Sequence, residues 1–249
     1  MSVQYDPYLV GALAREVEAG WGGGRGTGLR LLPAARAGEL RFADRPALLF
    51  LLHPREGFLV ASSEPVTRGP GPTFRRLWLA RAWAPPDERV LLLSLADAGG
   101  RERYRIAVEL ATNRRNLLLL EVGAEGRESA EAGEGTEAEE SGGERTPLRI
   151  RACLRERPDG PRPLRRGSEY PELRSPRRWA TSPPTLEEWV ERFAGVEPGA
   201  RRSAVLREVA YLSPINVEAI LGEALAGEAA EGEAAEGETV PGEARIGEA

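Results

Sequence analysis

Apolar residues along this chain follow two different periods. Between Asp6 and Glu18, Leu9, Val10, Leu13 and Val17 recur on one face with Glu16 and Glu18 off it, which predicts an amphipathic helix over residues 6–18. Asp6 followed by Pro7 supplies an N-cap and a first-turn proline. The glycine-rich run 21–28 stops the helix, and shorter apolar runs follow. Those at 29–32, 39–42, 47–52, 57–61, 89–96, 104–110, 117–122 and 148–154 are separated by Pro, Gly and charged breaks and predict strands. Residues 65–72 read as a turn-rich loop and 74–83 as a short helix. The sum is an α+β fold: a mostly antiparallel β-sandwich or flattened barrel with an N-terminal helix.

The pattern changes again toward the C-terminus. Residues 156–184 are rich in Pro and Arg and are expected to be extended. Thr185 and Glu188 have capping-box spacing, and Leu186, Trp189, Val190 and Phe193 then form an apolar helical face. Gly195 ends that helix. Val205, Leu206, Val209 and Leu212 mark a second. Ser213 and Pro214 cap a third, with Val217, Ile220 and Leu221 on its buried side. The expected organisation is a β-rich domain over 1–122 and 146–184, an acidic insertion over 123–145, a helical hairpin region over 185–225 and an acidic tail over 226–249. The insertion and tail are low-complexity Gly, Glu, Ala and Ser, too poor in apolar surface to offset chain entropy, and read as disordered.

Charge refines this picture. The formal net charge of −5 is an average over unlike parts. Residues 121–145 carry nine Glu against two Arg, and residues 222–249 carry eight Glu against one Arg. The remainder holds 31 basic and 22 acidic side chains, a balance of +9. All basic residues are Arg, whose planar fork binds two phosphate oxygens at once. A GC-rich genome explains the absence of Lys, but it does not choose between Arg and Glu, so the +9 balance is the informative quantity.

Candidate chemistry is sparse. One His and one Cys cannot build a zinc site or a Cys–His pair, and no carboxylate cluster has metal-ligand spacing, so no cofactor and no metal are expected. A single cysteine, Cys153, allows no internal disulfide; with no signal-peptide pattern and no apolar run near membrane-spanning length, the expectation is a cytoplasmic protein without membrane or small-molecule partners. The glycine run 22–28 lacks the Gly-Lys-Ser/Thr ending of a phosphate loop, and His53 has no matched nucleophile, so both read as structural. Arg114, Arg115 and Asn116 sit between two strands, where several donors can meet a phosphate backbone. Arg165, Arg166, Arg174, Arg177 and Arg178, interleaved with Tyr170 and Trp179, have the composition of a single-strand RNA surface. Residues 211–221 have a helix–hairpin–helix look, with Ser213 and Asn216 in place of the usual glycines.

The order of these pieces resembles the N-terminal domain of the NFACT family, the RqcH-like ribosome quality-control factors long called fibronectin-binding A proteins. Asp6-Pro7-Tyr8-Leu9 looks like the family's opening helix, Gly24-Arg25 like the start of its first strand, and the apolar run ending at His53-Pro54 like its His-Pro turn. Val108-Glu109-Leu110 followed by Asn116-Leu117-Leu118-Leu119 is similar to its Val-Glu-Leu…Ser-Asn-Ile-Ile-Leu stretch. The segment 165–171 is similar to its Pro-Gly-x-x-Tyr-x-Pro, and Phe193-Ala194-Gly195-Val196-Glu197-Pro198 to the opening of its hairpin helices. The resemblance implies a formamidopyrimidine-glycosylase-like fold followed by helix–hairpin–helix elements. It implies a non-enzymatic module that binds the large ribosomal subunit and tRNA during rescue of stalled ribosomes. It also places the family's Asp-Arg pair at Glu88-Arg89, and a family helix at Phe74, Arg75 and Arg76. The expected RNA-binding set is therefore Glu88, Arg89, Arg114, Arg115 and Asn116, with Phe74, Arg75 and Arg76 behind them. The chain departs from the family pattern in the Asp-to-Glu change and in Gly57-Phe58 where an Arg follows the His-Pro turn. A glycosylase-like repair protein or an adhesion domain are the alternatives; the chain has no N-terminal Pro-Glu pair for the first.

Overall fold

The computed structural model describes residues 5–53, 57–64, 71–111, 114–123, 147–159, 163–171, 173, 177–179, 182, 184–213 and 217. The chain forms two compact units, Met1–Ser175 and Pro176–Ala249. The acidic insertion beyond Gly123 and the acidic tail lie outside the described residues.

The first unit opens with α1 (Pro7–Trp21), where the Asp6 carboxylate accepts from the Leu9 N–H at 2.8 Å. Its buried stripe is Pro7, Val10, Ala14 and Val17, so the helix is turned slightly from the face the sequence suggested, and Leu9 is exposed. The helix also runs one turn beyond Glu18, to the Gly22 cap.

Nine strands follow among the described residues: β1 (Arg25–Leu32), β2 (Ala37–Phe42), β3 (Ala47–Leu51), β4 (Phe58–Ser62), β5 (Thr73–Trp83), β6 (Val90–Ala96), β7 (Glu102–Glu109), β8 (Asn116–Val122) and β9 (Leu148–Cys153). They make one antiparallel sheet in the order β4-β3-β2-β1-β5-β6-β7-β8-β9. Among the described residues, the two meanders β1–β4 and β5–β9 pair with each other in the sheet through β1 and β5. The sheet folds over on itself: a Cβ added at Gly38 of β2 would lie 2.1 Å from the Leu117 side chain of β8. Between the facing halves lies the main core, with α1 contributing Val10, Ala14 and Val17.

The strands β6 and β8 and the second half of β7 are buried on both sides. Leu91, Leu93, Ile106, Val108, Leu117 and Leu119 face the main core. Their neighbours Val90, Leu92, Ala107, Leu118 and Leu120 join Ile150, Leu164 and Tyr170 in a second cluster on the outer face. Two-sided burial is why these strands read as unbroken apolar runs rather than alternating ones.

The segment 74–83, expected as a helix, is instead the longest strand. Its buried residues are Phe74, Leu77, Leu79 and Ala82, at spacings of three, two and three. The spacing of three arises from bulges. Pairing with β1 shifts between Gly26 and Gly28, pairing with β6 shifts between Leu79 and Arg81, and Arg76 has φ of 54°. Each extra residue lengthens the apolar period of a strand and makes it mimic a helix. Gly26 and Gly28 let β1 approach this irregular strand: Cβ atoms there would meet the Phe74 side chain at 3.7 Å and the Pro72 carbonyl at 3.0 Å.

In the second unit, α2 (Leu186–Phe193) carries a complete capping box between Thr185 and Glu188, as the spacing predicts. Its burial differs from expectation: Phe193 is buried and Trp189 half-buried, while Leu186 and Val190 are exposed. The helix α3 (Pro198–Glu208) ends before Val209 and Leu212, which pack beyond it with Phe193, Val205 and Val217. Trp179 stacks on Trp189 at 5.8 Å, and Arg177 donates to the Leu212 carbonyl at 2.9 Å. Hydrogen bonds from Arg192 and then Arg207 hold the Glu208 carboxyl below the usual carboxylate range. Their contribution to stability is therefore present above that range and lost as pH falls through the lowered value. The proposed third helix lies outside the described residues except for Val217, whose N–H donates to the buried Ser213 carbonyl at 3.0 Å.

Gly38→Ala is expected to overpack the β2–β8 contact and to lower unfolding free energy by about 1–3 kcal/mol, read as a reduced urea midpoint with an unchanged slope.

Candidate nucleic-acid interface

Strand β5 presents its outward residues on the face away from the main core. After the bulges these are Trp78, Arg81 and Trp83, with Arg75 and Arg76 exposed near its start. Cross-strand register puts Arg81 opposite Ser94 of β6, and Ser94 opposite Arg105 of β7. Arg81 and Arg105 therefore flank one buried serine and share a face. Their guanidinium carbons lie 5.1 and 5.0 Å from the Trp83 ring centroid, within cation–π range. Arg105 is further fixed by Glu102, which accepts from its Nε at 2.9 Å and its Nη2 at 2.6 Å.

Around the start of β5, Arg75, Arg76, Arg103 and Asp97 border a cavity of about 390 Å³. Asp97 lies 3.6 Å from Arg103. Among the described residues Arg75, Arg76 and Arg81 have no carboxylate partner. Strands β5 and β7, with Asp97 just after β6, thus bring together five guanidinium groups, two carboxylates and two indoles.

The sequence-predicted residues divide between the two ends of this sheet. Glu88 and Arg89 lie in the β5–β6 connection, where Asp87 turns the chain with φ of 58°. Arg114 lies in the β7–β8 connection at the same end, since the Leu110 N–H donates to the Arg89 carbonyl at 2.8 Å. Phe74, Arg75 and Arg76 are at the opposite end of the 11-residue β5, roughly 30 Å away at ordinary strand rise.

Arg115 and Asn116 point inward. Arg115 is 8% exposed, donates to the His53 carbonyl at 2.6 Å and lies 5.6 Å from the Tyr5 ring centroid. Burial pushes the Tyr5 hydroxyl pKa up, with the Arg115 charge and a backbone hydrogen bond at Leu59 opposing. Asn116 is 1% exposed; its Nδ2 donates to the Arg155 carbonyl at 2.8 Å, and its Oδ1 accepts from the Arg155 and Leu117 N–H groups, each at 3.0 Å. Both side chains tie β8 to the segments beside it. Phe74 is likewise buried, 5.9 Å from the Tyr104 ring. Of the Pro-rich arginines, Arg165 and Arg166 are exposed in the first unit, whereas Tyr170 is buried with its hydroxyl 3.3 Å from Glu109. Arg174 and Asn216 lie outside the described residues.

Trp78, Arg81, Trp83, Arg103 and Arg105 escaped the sequence reading. The signal was present in the i, i+2 pairs Arg81/Trp83 and Arg103/Arg105, but a helical reading of 74–83 sends the first pair to different faces. Among the described residues no group of three His, Cys, Asp or Glu side chains could hold a metal ion, and no helix is long and apolar enough to cross a membrane.

No protein-family model matches the sequence, and no curated protein does either. Among solved structures, the fold is similar to the N-terminal domain of the fibronectin-binding protein PavA from Streptococcus pneumoniae. The TM-score is 0.60 at 12% identity, over 92% of this chain and 82% of that one. It is also similar to the fibrinogen binding protein from Staphylococcus aureus, with a TM-score of 0.53 at 14% identity over the same shares. At these identities the likeness shows the fold alone.

Asn116→Ala is expected to strand the Arg155 N–H and carbonyl and to cost about 1–3 kcal/mol of stability. Thermal and urea unfolding measure it, and a parent-like midpoint would mean that Asn116 does not hold β8 to the 155 segment.

Proposed function

We propose that this protein is a non-catalytic RNA-binding module whose contact surface is the outer face of β5–β7. In this reading it acts in the cytoplasm on tRNA and the large ribosomal subunit, as the resemblance to the NFACT family implies. The observation that carries the proposal is the placement of Arg81 and Arg105 over Trp83 beside Arg75 and Arg76, which no carboxylate among the described residues neutralises. A protein that stores arginine only for solubility disperses it among carboxylates. Here guanidinium groups and indoles share one rigid sheet face, which suits a strand of phosphates with stackable bases.

The geometry also explains how such a surface keeps its shape. Arg81 and Arg105 are held by the indole and, for Arg105, by Glu102, so little side-chain entropy remains to be lost on binding. Glu88, Arg89 and Arg114 extend the surface past the end of β5, where Glu88 is suited to accept from a ribose hydroxyl. Phosphate contacts from these groups position RNA without reading its sequence.

A second reading follows from the two proteins of similar fold, one fibronectin-binding and the other fibrinogen binding. The same face would then meet an acidic protein surface, and binding of fibronectin in place of RNA distinguishes the two.

The combined substitution Arg75→Ala, Arg76→Ala and Arg81→Ala is expected to weaken binding of tRNA and of single-stranded RNA in fluorescence anisotropy. It should flatten the log–log salt dependence by about 0.7–1 for each arginine removed. Arg15→Ala, on the exposed side of α1, should leave both unchanged. An unaltered salt slope in the triple variant would refute the assignment of this face.

A further inference from the structure

The outer face of β5–β7 leads into a cleft of about 630 Å³, bordered by Trp83, Arg105, Pro147, Glu169, Tyr170 and Leu173. It opens where the exposed half of the sheet meets the segment that covers β8 and β9. Its volume is in the range of sites for small organic groups. Its walls are fixed. The Tyr170 N–H donates to the Leu148 carbonyl at 2.7 Å, Tyr170 belongs to the outer-face cluster, and Glu169 is bridged to Arg149 on β9.

Two charged side chains, Arg105 and Glu169, border this cleft among apolar and aromatic residues, and they are of opposite charge. Arg105 spends its Nε and Nη2 on Glu102, which leaves its other terminal nitrogen as a donor. Glu169 is exposed and, among the described residues, has no cationic side-chain partner. A carboxylate facing an aromatic slot selects a flat ligand with adjacent N–H donors. The neighbouring guanidinium selects a ligand with an attached anion.

We propose that this cleft receives one unstacked guanine base of the RNA strand that crosses β5–β7. The guanine N1–H and 2-amino groups donate together to the Glu169 carboxylate, and the adjoining phosphate accepts from Arg105 and Arg81. Adenine and cytosine offer one amino group beside an acceptor nitrogen, and uracil offers one N–H between two carbonyls, so each pairs less well with a carboxylate. A proline-rich peptide suits the Pro and aromatic walls, but proline has no N–H for Glu169. This inference rests on the RNA-binding reading of the same face.

The test uses the full chain and two labelled octaribonucleotides, one all-uridine and one with a single central guanosine, plus a labelled polyproline peptide. The guanosine oligonucleotide should bind at least about fivefold more tightly than the all-uridine one, the low end of what a bidentate base contact discriminates. Glu169→Gln should erase that ratio without weakening all-uridine binding. Equal affinity for the two oligonucleotides in the parent protein overturns the base cleft while leaving the surface reading intact. Failure to bind either overturns both. Peptide binding without any guanosine preference overturns the cleft assignment in favour of a proline-rich ligand.

Discussion

The pairing of β1 with β5 holds this protein's first unit together. Each meander, β1–β4 and β5–β9, has its own consecutive hairpins, and among the described residues the pairing of Arg25 with Trp78, Gly26 with Leu77 and Gly28 with Thr73 makes them one sheet. Glycines on β1 admit the irregular backbone of β5, and α1 braces the same strand. The Gly23 N–H donates to the Leu79 carbonyl at 2.8 Å, the Leu79 N–H donates to the Gly24 carbonyl at 2.9 Å, and the Glu18 carboxylate accepts from the Ala82 N–H. Once β5 is fixed in this way, its inner residues close the main core and its outer ones define the basic-aromatic face. Fold and candidate interface are consequences of the same strand.

Arginine does two kinds of work here. Some guanidinium groups replace apolar packing with hydrogen bonds inside the molecule. Arg115 links β8 to the His53 carbonyl, and Arg157 pairs with the buried Glu109 at 2.5 Å. Such buried pairs add little net stability, but removing one partner leaves the other charge stranded in a low-dielectric setting. Others, at Arg75, Arg76 and Arg81, remain exposed and unneutralised among the described residues. A count of arginines cannot separate the two groups, because the difference lies in burial.

The cleft beside Trp83 exists because β6, β8 and the second half of β7 are apolar on both sides. A sheet with one wet face needs no covering segment. Here Val90, Leu92, Leu118, Leu120 and Ile150 must be sheltered, and Leu164 and Tyr170 pack with them in one cluster. The cover stops short of β5, and its margin forms one wall of the cleft while Trp83 forms the other.

By itself the sequence determined the opening helix, the capped α2, eight of the nine strands to within a few residues, and the basic balance of the body. Those features depend on local periodicity, turn residues and caps, which act over a few neighbours. Only the tertiary structure decided that 74–83 is a strand, because its bulges are answers to β1 and β6 and give an isolated segment helix-like spacing. It also turned Arg115 and Asn116 inward and aligned Arg81, Trp83 and Arg105, whose common face comes from register across three strands. Register depends on partners distant in sequence, and no window along the chain contains it.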